Sequence, residues 1–382
     1  AREIQTAEFG CGLDGVIRIA QIGLNGKGDS DLRDTAVLPN VKVTALCDVD
    51  WGLDGVNRVF ERHPEARRFK DFREMLLEMD DEIDAVIIST PDHMHFLPAF
   101  MAISMGKHVY VQKPLTQTIA EARALRELAR RHGVVTQMGN QGHAGDGTRR
   151  VREWVQSGTV GEVREVHIWT DRPGNYWKQD MTAYPPGSEP SATLDWDLWV
   201  GRAPHHAYSS AIHPFHWRGW RDYGCGALGD MGCHIMDAAF YALDLDAPTL
   251  WIEAETSPVN DVAFPEWSIV TWHVPQRGNL PPVTVKWYDG GKKPPRPVAL
   301  EAEREFNSPG GQYLVGSRST ILDVSDYCNS PRLTPLSHMR EIGFAPETIE
   351  RVPEGNPHRE WIDAIRNGTQ PGGNFEYSAR LT

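Results

Sequence analysis

The stretch "VIRIAQIGLNGKG" (residues 16–28) runs a mostly apolar segment straight into three closely spaced glycines. The segment reads as a buried strand. Glycines 23, 26 and 28 read as a turn that opens a helix, where backbone N–H groups can cradle a pyrophosphate. The G-x-G-x-x-G spacing breaks at its second glycine, which is Asn25. Asparagine tolerates left-handed geometry better than most residues, so the turn is expected to survive. Asp48 closes the next apolar run, "VKVTALCD" (41–48), twenty positions after Gly28. A carboxylate there accepts hydrogen bonds from an adenosine ribose and repels a 2′-phosphate, which favours NAD over NADP.

The same rhythm continues through "DAVIISTP" (84–91), "KHVYVQKP" (107–114) and "GVVTQMGN" (133–140), with helical patterns such as "TIAEARALRELARRHG" between the runs. Strands alternating with helices predict a doubly wound parallel sheet, an NAD-binding Rossmann domain over 1–145. Beyond that point "GEVREVHIWTDR", "LWIEAET", "WSIVTWHV" and "VTVKWYD" alternate along their length and are rich in β-branched and aromatic residues. They predict a second α/β domain over 146–382 with a large, mostly antiparallel open sheet. "NPHREWIDAIRNG" reads as a helix stopped by Gly368.

The net charge of −13 argues against a nucleic-acid partner, and no apolar run is long enough to cross a bilayer. Five scattered cysteines, Cys11, Cys47, Cys225, Cys233 and Cys328, form no CxxC pair. Thirteen tryptophans are many for 382 residues and suit a protein that stacks on sugar rings, although core packing accounts for any one of them. The chain starts at Ala1 rather than at methionine, which fits either a removed leader or a trimmed terminus.

Ligands of such sheets sit outside the carboxyl ends of the strands. "STPDHMH", "QKP" and "MGNQGH" occupy those ends, so Thr90, Pro91, His95, Lys113 and Gln141 are expected to face one crevice, with Gln112 beside them. Lys113 can donate to a substrate hydroxyl and stabilise an alkoxide. Farther on, "CGALGDMGCHIMDAAFYALD" (225–244) puts Asp230, His234 and Asp237 on one face of a single expected helix. Asp230 would orient His234, which would act as general base. "HPFHWRGWRDYG" gathers aromatic rings and guanidinium groups of the kind a carbohydrate pocket uses. Arg172, Trp177, Trp217, Arg218, Tyr223 and Asp237 are therefore assigned to the substrate. His205, His206, His213 and His216 lack a tight ligand spacing with a carboxylate, so no metal is assigned.

With the glycine turn, "STPDHMH", "QKP" and "GDMGCHIMD" in this order, the chain resembles the Gfo/Idh/MocA oxidoreductases from about residue 16 onward. The resemblance implies that Lys113 is the lysine of the family's E-K-P motif, and that Asp230 and His234 are its D-x-x-x-H pair. It also implies a sugar or cyclitol hydroxyl as substrate, and a homo-oligomer assembled through the sheet of the C-terminal domain. Three departures stand out. Asn25 replaces a fingerprint glycine, Gln112 replaces the usual glutamate, and the chain stops at "SARLT", where similar proteins usually continue. The subgroup with "GALGDMGCHIMD" and "WRGW" resembles exported proteins, which implies a periplasmic location after signal removal, with the cytoplasm as the alternative. It is also similar to NAD-dependent glycosidases that oxidise a sugar transiently to release an aglycone. A sugar dehydrogenase, such a glycosidase and a non-catalytic NAD or sugar sensor are the three readings. A proton-transfer pair argues against the sensor.

Overall fold

The computed structural model describes residues 15–246 and 251–382. Cys11, and Leu250 of the "LWIEAET" run, lie outside the described residues. In chain order the elements begin with β1 (Ile17–Ile22), α1 (Lys27–Ala36), β2 (Val41–Cys47), α2 (Asp54–Arg62), β3 (Arg67–Phe69) and α3 (Phe72–Glu78). They continue with β4 (Ala85–Ile88), α4 (Phe96–Ser104), β5 (His108–Val111), α5 (Ile119–His132), β6 (Thr136–Met138), α6 (Asp146–Gln156) and β7 (Val163–Trp169). Next come α7 (Trp196–Val200), α8 (Gly226–Ile235), α9 (Asp237–Leu243), β8 (Trp251–Thr256), β9 (Ser268–Val274) and β10 (Val283–Tyr288). The last are β11 (Gly311–Gly316), β12 (Thr320–Asp323), β13 (Arg332–Thr334), α10 (Leu336–Ile342), α11 (Pro357–Asn367) and α12 (Phe375–Leu381).

Strands β1 to β6 form one parallel sheet in the order β3-β2-β1-β4-β5-β6. Strand order reverses at the β1/β4 pair, so the carboxyl ends of these two strands mark the ligand crevice of a doubly wound sheet. The central strands β1, β4 and β5 are buried on both faces and are therefore rich in aliphatic residues; "AVII" of β4 is wholly buried. Helix α5 is bounded as its sequence requires. Thr118 and Glu121 make a reciprocal capping box, and Gly133 ends the helix at φ 64°.

Contacts divide the chain into two units. The first comprises residues up to Gly139 together with Pro186–Ser209 and Pro357–Ala379. The second comprises Asn140–Pro185, Ser210–Asn356 and Arg380–Thr382. A single cut at 145/146 leaves 186–209 and 357–379 with the second domain, whereas their packing puts them with the first. The reason for α11 is apolar burial. Trp361, Ile362 and Ile365 are no more than 1% exposed and pack in one cluster with Ile17, Leu32 and Tyr110.

The second unit holds seven strands in the order β13-β12-β11-β7-β10-β9-β8. Every neighbouring pair is antiparallel except β7/β10. Alternation assigns the faces: Val166, Ile168, Val285, Trp287 and Leu314 join Trp154, Ile235 and Ala239 of the helices in one core. The single helix expected over 225–244 is two, α8 and α9, which meet at Met236. Trp361→Ala is expected to cost roughly 3–5 kcal/mol of stability, measured as a lowered urea midpoint; an unchanged midpoint would remove α11 from the core.

Candidate active site

The candidate nucleotide site lies in the first unit. Gly23 and Gly26 take φ of 84° and 60°, and Asn25 is not among the positive-φ residues. The turn therefore needs no left-handed asparagine, which corrects the expectation. A Cβ on Gly23 would lie 2.6 Å from the Ser89 carbonyl oxygen, and one on Gly28 would collide with the Gly23 carbonyl. Asn25 instead lays its amide over Gly55 at the start of α2. Asp48, half-buried, accepts the Leu24 N–H at 2.8 Å and the Asp50 N–H at 2.9 Å, one on each oxygen. The Val49 N–H is a third donor, which leaves the carboxylate room for one ribose hydroxyl. Burial pushes the Asp48 carboxyl up to about 6. Thr90 adds a hydroxyl that is buried and has no protein partner, and Pro91 leads into the short turn over Asp92–Met94. A turn too tight for side chains, an unsatisfied hydroxyl and a strand-end carboxylate fit a dinucleotide.

Lys113 follows directly on β5, half-buried, and joins Pro114 through a cis peptide bond. Two residues expected to touch the cofactor are turned elsewhere. Gln112 is 5% exposed, and its Nε2 donates at 2.8 Å to Asp31 of α1. His95 sets Nδ1 2.7 Å from the Pro114 carbonyl and Nε2 2.9 Å from the Thr90 carbonyl, so both ring nitrogens face the protein and the neutral ring donates to one of the two. Burial pushes its imidazole down to about 4, against the pull of the two carbonyls.

Asp31 is the residue that sequence reasoning missed. It is fully buried and accepts from Lys27 Nζ (2.6 Å), Ser89 Oγ (2.8 Å), Gln112 Nε2 (2.8 Å) and His358 Nε2 (3.0 Å). Burial alone would raise its carboxyl; the His358 hydrogen bond and the Lys27 ammonium hold it below the ordinary carboxylate range. The Lys27 pair, four apart in α1, was visible as a spacing. No local signal links Asp31 to His358.

The residues expected to transfer a proton lie in the second unit. His234 in α8 is 4% exposed and stands edge-on to the Tyr327 ring at 4.8 Å. Tyr327 belongs to the loop after β12, and Gly147 admits that loop, since a Cβ there would strike the Cys328 carbonyl. Asp230 has Arg218 Nε at 3.4 Å. Asp326 has Arg172 at 3.9 Å, and its carboxyl is raised by burial. Asp237 does not extend the His234 face: the chain breaks at Met236, and the Asp237 carboxylate accepts His143 Nδ1 at 3.0 and 3.1 Å. Both partners of that pair are buried. The aromatic assignment shifts as well. Trp177, Trp217 and Tyr223 are 4%, 7% and 0% exposed and pack the interior. Their neighbours Tyr176 and Phe215 are 45% and 44% exposed, with the Arg172 and Arg218 guanidinium groups over their rings at 3.6 and 4.4 Å. Gln141 belongs to this unit too, where it lines a pocket of about 630 Å³ with Asp146, Tyr327, Arg351 and Glu354. Among the described residues no helix is long and apolar enough to cross a membrane, and no group of three or more His, Cys, Asp or Glu could hold a metal ion.

The first unit thus carries the turn and strand-end groups of a dinucleotide site, and the second carries a buried histidine and several carboxylates. Residues 17–140 match the oxidoreductase family's NAD-binding Rossmann fold and residues 145–277 its C-terminal alpha/beta domain. The chain belongs to the Gfo/Idh/MocA oxidoreductase family. It is 26% identical over 261 residues to levoglucosan dehydrogenase of Pseudarthrobacter phenanthrenivorans, 64% of this chain and 53% of that one. It is 34% identical over 158 residues to a glycosyl hydrolase family 109 protein of Saccharopolyspora erythraea, 38% of this chain and 33% of that one. The chain thus spans about half or less of the length of these curated relatives. Among solved structures, levoglucosan dehydrogenase in complex with NADH and L-sorbose shares the fold at TM-score 0.64 and 15% identity, covering 96% of this chain and 93% of that one. The WlbA dehydrogenase of Bordetella pertussis with NADH and UDP-GlcNAcA does so at 0.64 and 14%, with the same coverage.

Because the Asp48 carboxyl titrates near 6, its charge is present above that pH and lost below it. NAD is expected to bind about tenfold more weakly at pH 5 than at pH 7.5, measured by fluorescence titration. Asp48→Asn should flatten that profile, and a flat wild-type profile would exclude Asp48 as the ribose acceptor.

Proposed function

We propose that this protein is an NAD-dependent oxidoreductase acting on a hydroxyl of a sugar, glycoside or cyclitol. The observation that carries the reading is the position of Lys113, at the carboxyl end of a strand in a sheet whose glycine turn, Thr90 and Asp48 suit a dinucleotide. NAD, when bound, supplies the hydride acceptor. Gly23, Gly26 and Gly28 would lie along its pyrophosphate, and Asp48 would take one ribose hydroxyl. His234 accepts the proton of the reacting hydroxyl, and Lys113 donates a hydrogen bond to the oxygen as it becomes a carbonyl. Asp230 acts as the carboxylate partner of His234. The reading requires Lys113 and His234 to serve the same hydroxyl. Tyr176 and Phe215, with the guanidinium groups beside them, supply the aromatic faces and donors that suit a pyranose.

Identity of 33–34% to glycosyl hydrolase family 109 proteins over 38–39% of the chain supports a second reading, in which the same first oxidation leads to loss of an aglycone and return of the hydride. A homo-oligomer assembled through the second unit's sheet is part of the proposal. It is supported by β8, an edge strand with Trp251 60% and Ile252 50% exposed.

A panel of sugars, cyclitols, levoglucosan and aryl N-acetylgalactosaminides, followed by NADH absorbance and by aglycone release, separates the readings. A dehydrogenase accumulates NADH in proportion to substrate consumed, and a glycosidase releases aglycone with none. Lys113→Ala and His234→Ala should each keep NAD binding and lose about 10²–10⁴-fold in kcat; wild-type turnover in either rejects the assignment. Tyr176→Ala should raise KM roughly 2- to 10-fold with kcat little changed.

A further inference from the structure

Asp31 gathers donors from four segments at the carboxyl ends of β4 and β5: Lys27 in its own helix, Ser89 after β4, Gln112 after β5 and His358 in α11. Two donors fall on each oxygen, so the lone pairs are filled and the carboxylate cannot turn without breaking a contact. One of the four donors is the side chain immediately before Lys113. Gln112 is also held by its own backbone, whose N–H donates to Ile88 at 2.9 Å. Gly139 closes the other side, where a Cβ would stand 2.5 Å from Gln112 Nε2. The amide therefore has one place to lie. The residue directly before Lys113 is thus held at both its backbone and its side chain.

We propose that Asp31 is the positioning residue for Lys113, acting through the Gln112 amide. The proposal rests on the reading of Lys113 as the group that stabilises the reacting oxygen. It also accounts for the residue type at 112. Nε2 lies 2.8 Å from an ionised carboxylate, so an amide donates there, whereas a glutamate would set a second anion against the first. The charged and titratable groups around this contact are Lys27, His358 and, stacked on His358 at 4.7 Å, Tyr110.

The experiment uses the full chain and the sugar best turned over in the panel above, with thermal melting and NAD titration confirming that each variant is folded. Gln112→Met keeps volume and adds no charge, so it carries the test if the charged variant folds poorly. Gln112→Met, Gln112→Glu and Asp31→Asn should each lose on the order of 10²-fold in kcat, with KM and NAD affinity little changed. Gln112→Glu should recover relative to wild type as the pH falls from about 8 to about 6, because the two facing carboxyls then share a proton. The double variant Asp31→Asn/Gln112→Glu restores an amide facing a carboxylate and should return to within about threefold of wild type. Wild-type kcat in Gln112→Met, or a double variant no better than the worse single one, overturns the proposal. Lys113→Ala in the same assay separates the two levels. If it remains active, the reading of Lys113 fails; if it is inactive while Gln112→Met is not, only the role of Asp31 fails.

Discussion

A carboxylate without water must be matched donor for donor, and Asp31 is where the nucleotide unit meets that requirement. Removing a charge from solvent costs several kcal/mol unless partners replace the lost hydration. Here one ammonium, one imidazole, one hydroxyl and one amide do so. Each comes from a different part of the chain, so satisfying one side chain registers α1, the ends of β4 and β5, and α11 against one another. The glycine turn begins at the end of β1, just ahead of α1, and Lys113 begins at the end of β5. The groups proposed to handle the cofactor and the reacting oxygen are thus tied to one buried anion. His95 lies between the Thr90 and Pro114 carbonyls with one ring nitrogen toward each, and donates to one of them.

In the second unit, what looks in the sequence like one helix is two. The break at Met236 leaves Asp230 and His234 on α8, near Arg218 and Tyr327. It gives Asp237 to α9, where the carboxylate closes on His143 and the imidazole meets Tyr241 edge-on at 5.1 Å. An acid three residues from a histidine is on its face only while the helix continues. Once the helix breaks, the acid is free to satisfy another buried group.

Local pattern made the architecture legible. Strand periodicity, the glycine turn, and the Thr118 and Gly133 caps needed no tertiary knowledge, and the mostly antiparallel second sheet followed from alternation. Lys113, Asp48 and His234 were proposed because motif and position agreed. Distance along the chain hid the rest. Nothing near Asp31 announces His358, and nothing near Gln112 says that its amide turns inward, away from ligand. The substituted glutamate of the E-K-P pattern looked like a lost charge. In the structure an anion is still close by, carried on α1 rather than on the strand end. Aromatic residues misled for another reason: composition marks the rings, but only burial tells Trp217 and Tyr223 from the half-exposed Tyr176 and Phe215.

Helix α11 has a consequence for how the protein is made. The ribosome finishes β6 and then must translate the whole stretch to Pro357 before the helix that completes the first core exists. At about 5–20 residues per second that interval is roughly 10–40 s. Throughout it the nascent chain carries a Rossmann sheet with Ile17, Leu32 and Tyr110 missing their cover, and Asp31 missing its imidazole. The first unit in chain order is therefore completed only after most of the second has been synthesised, and until then part of its apolar core stays uncovered.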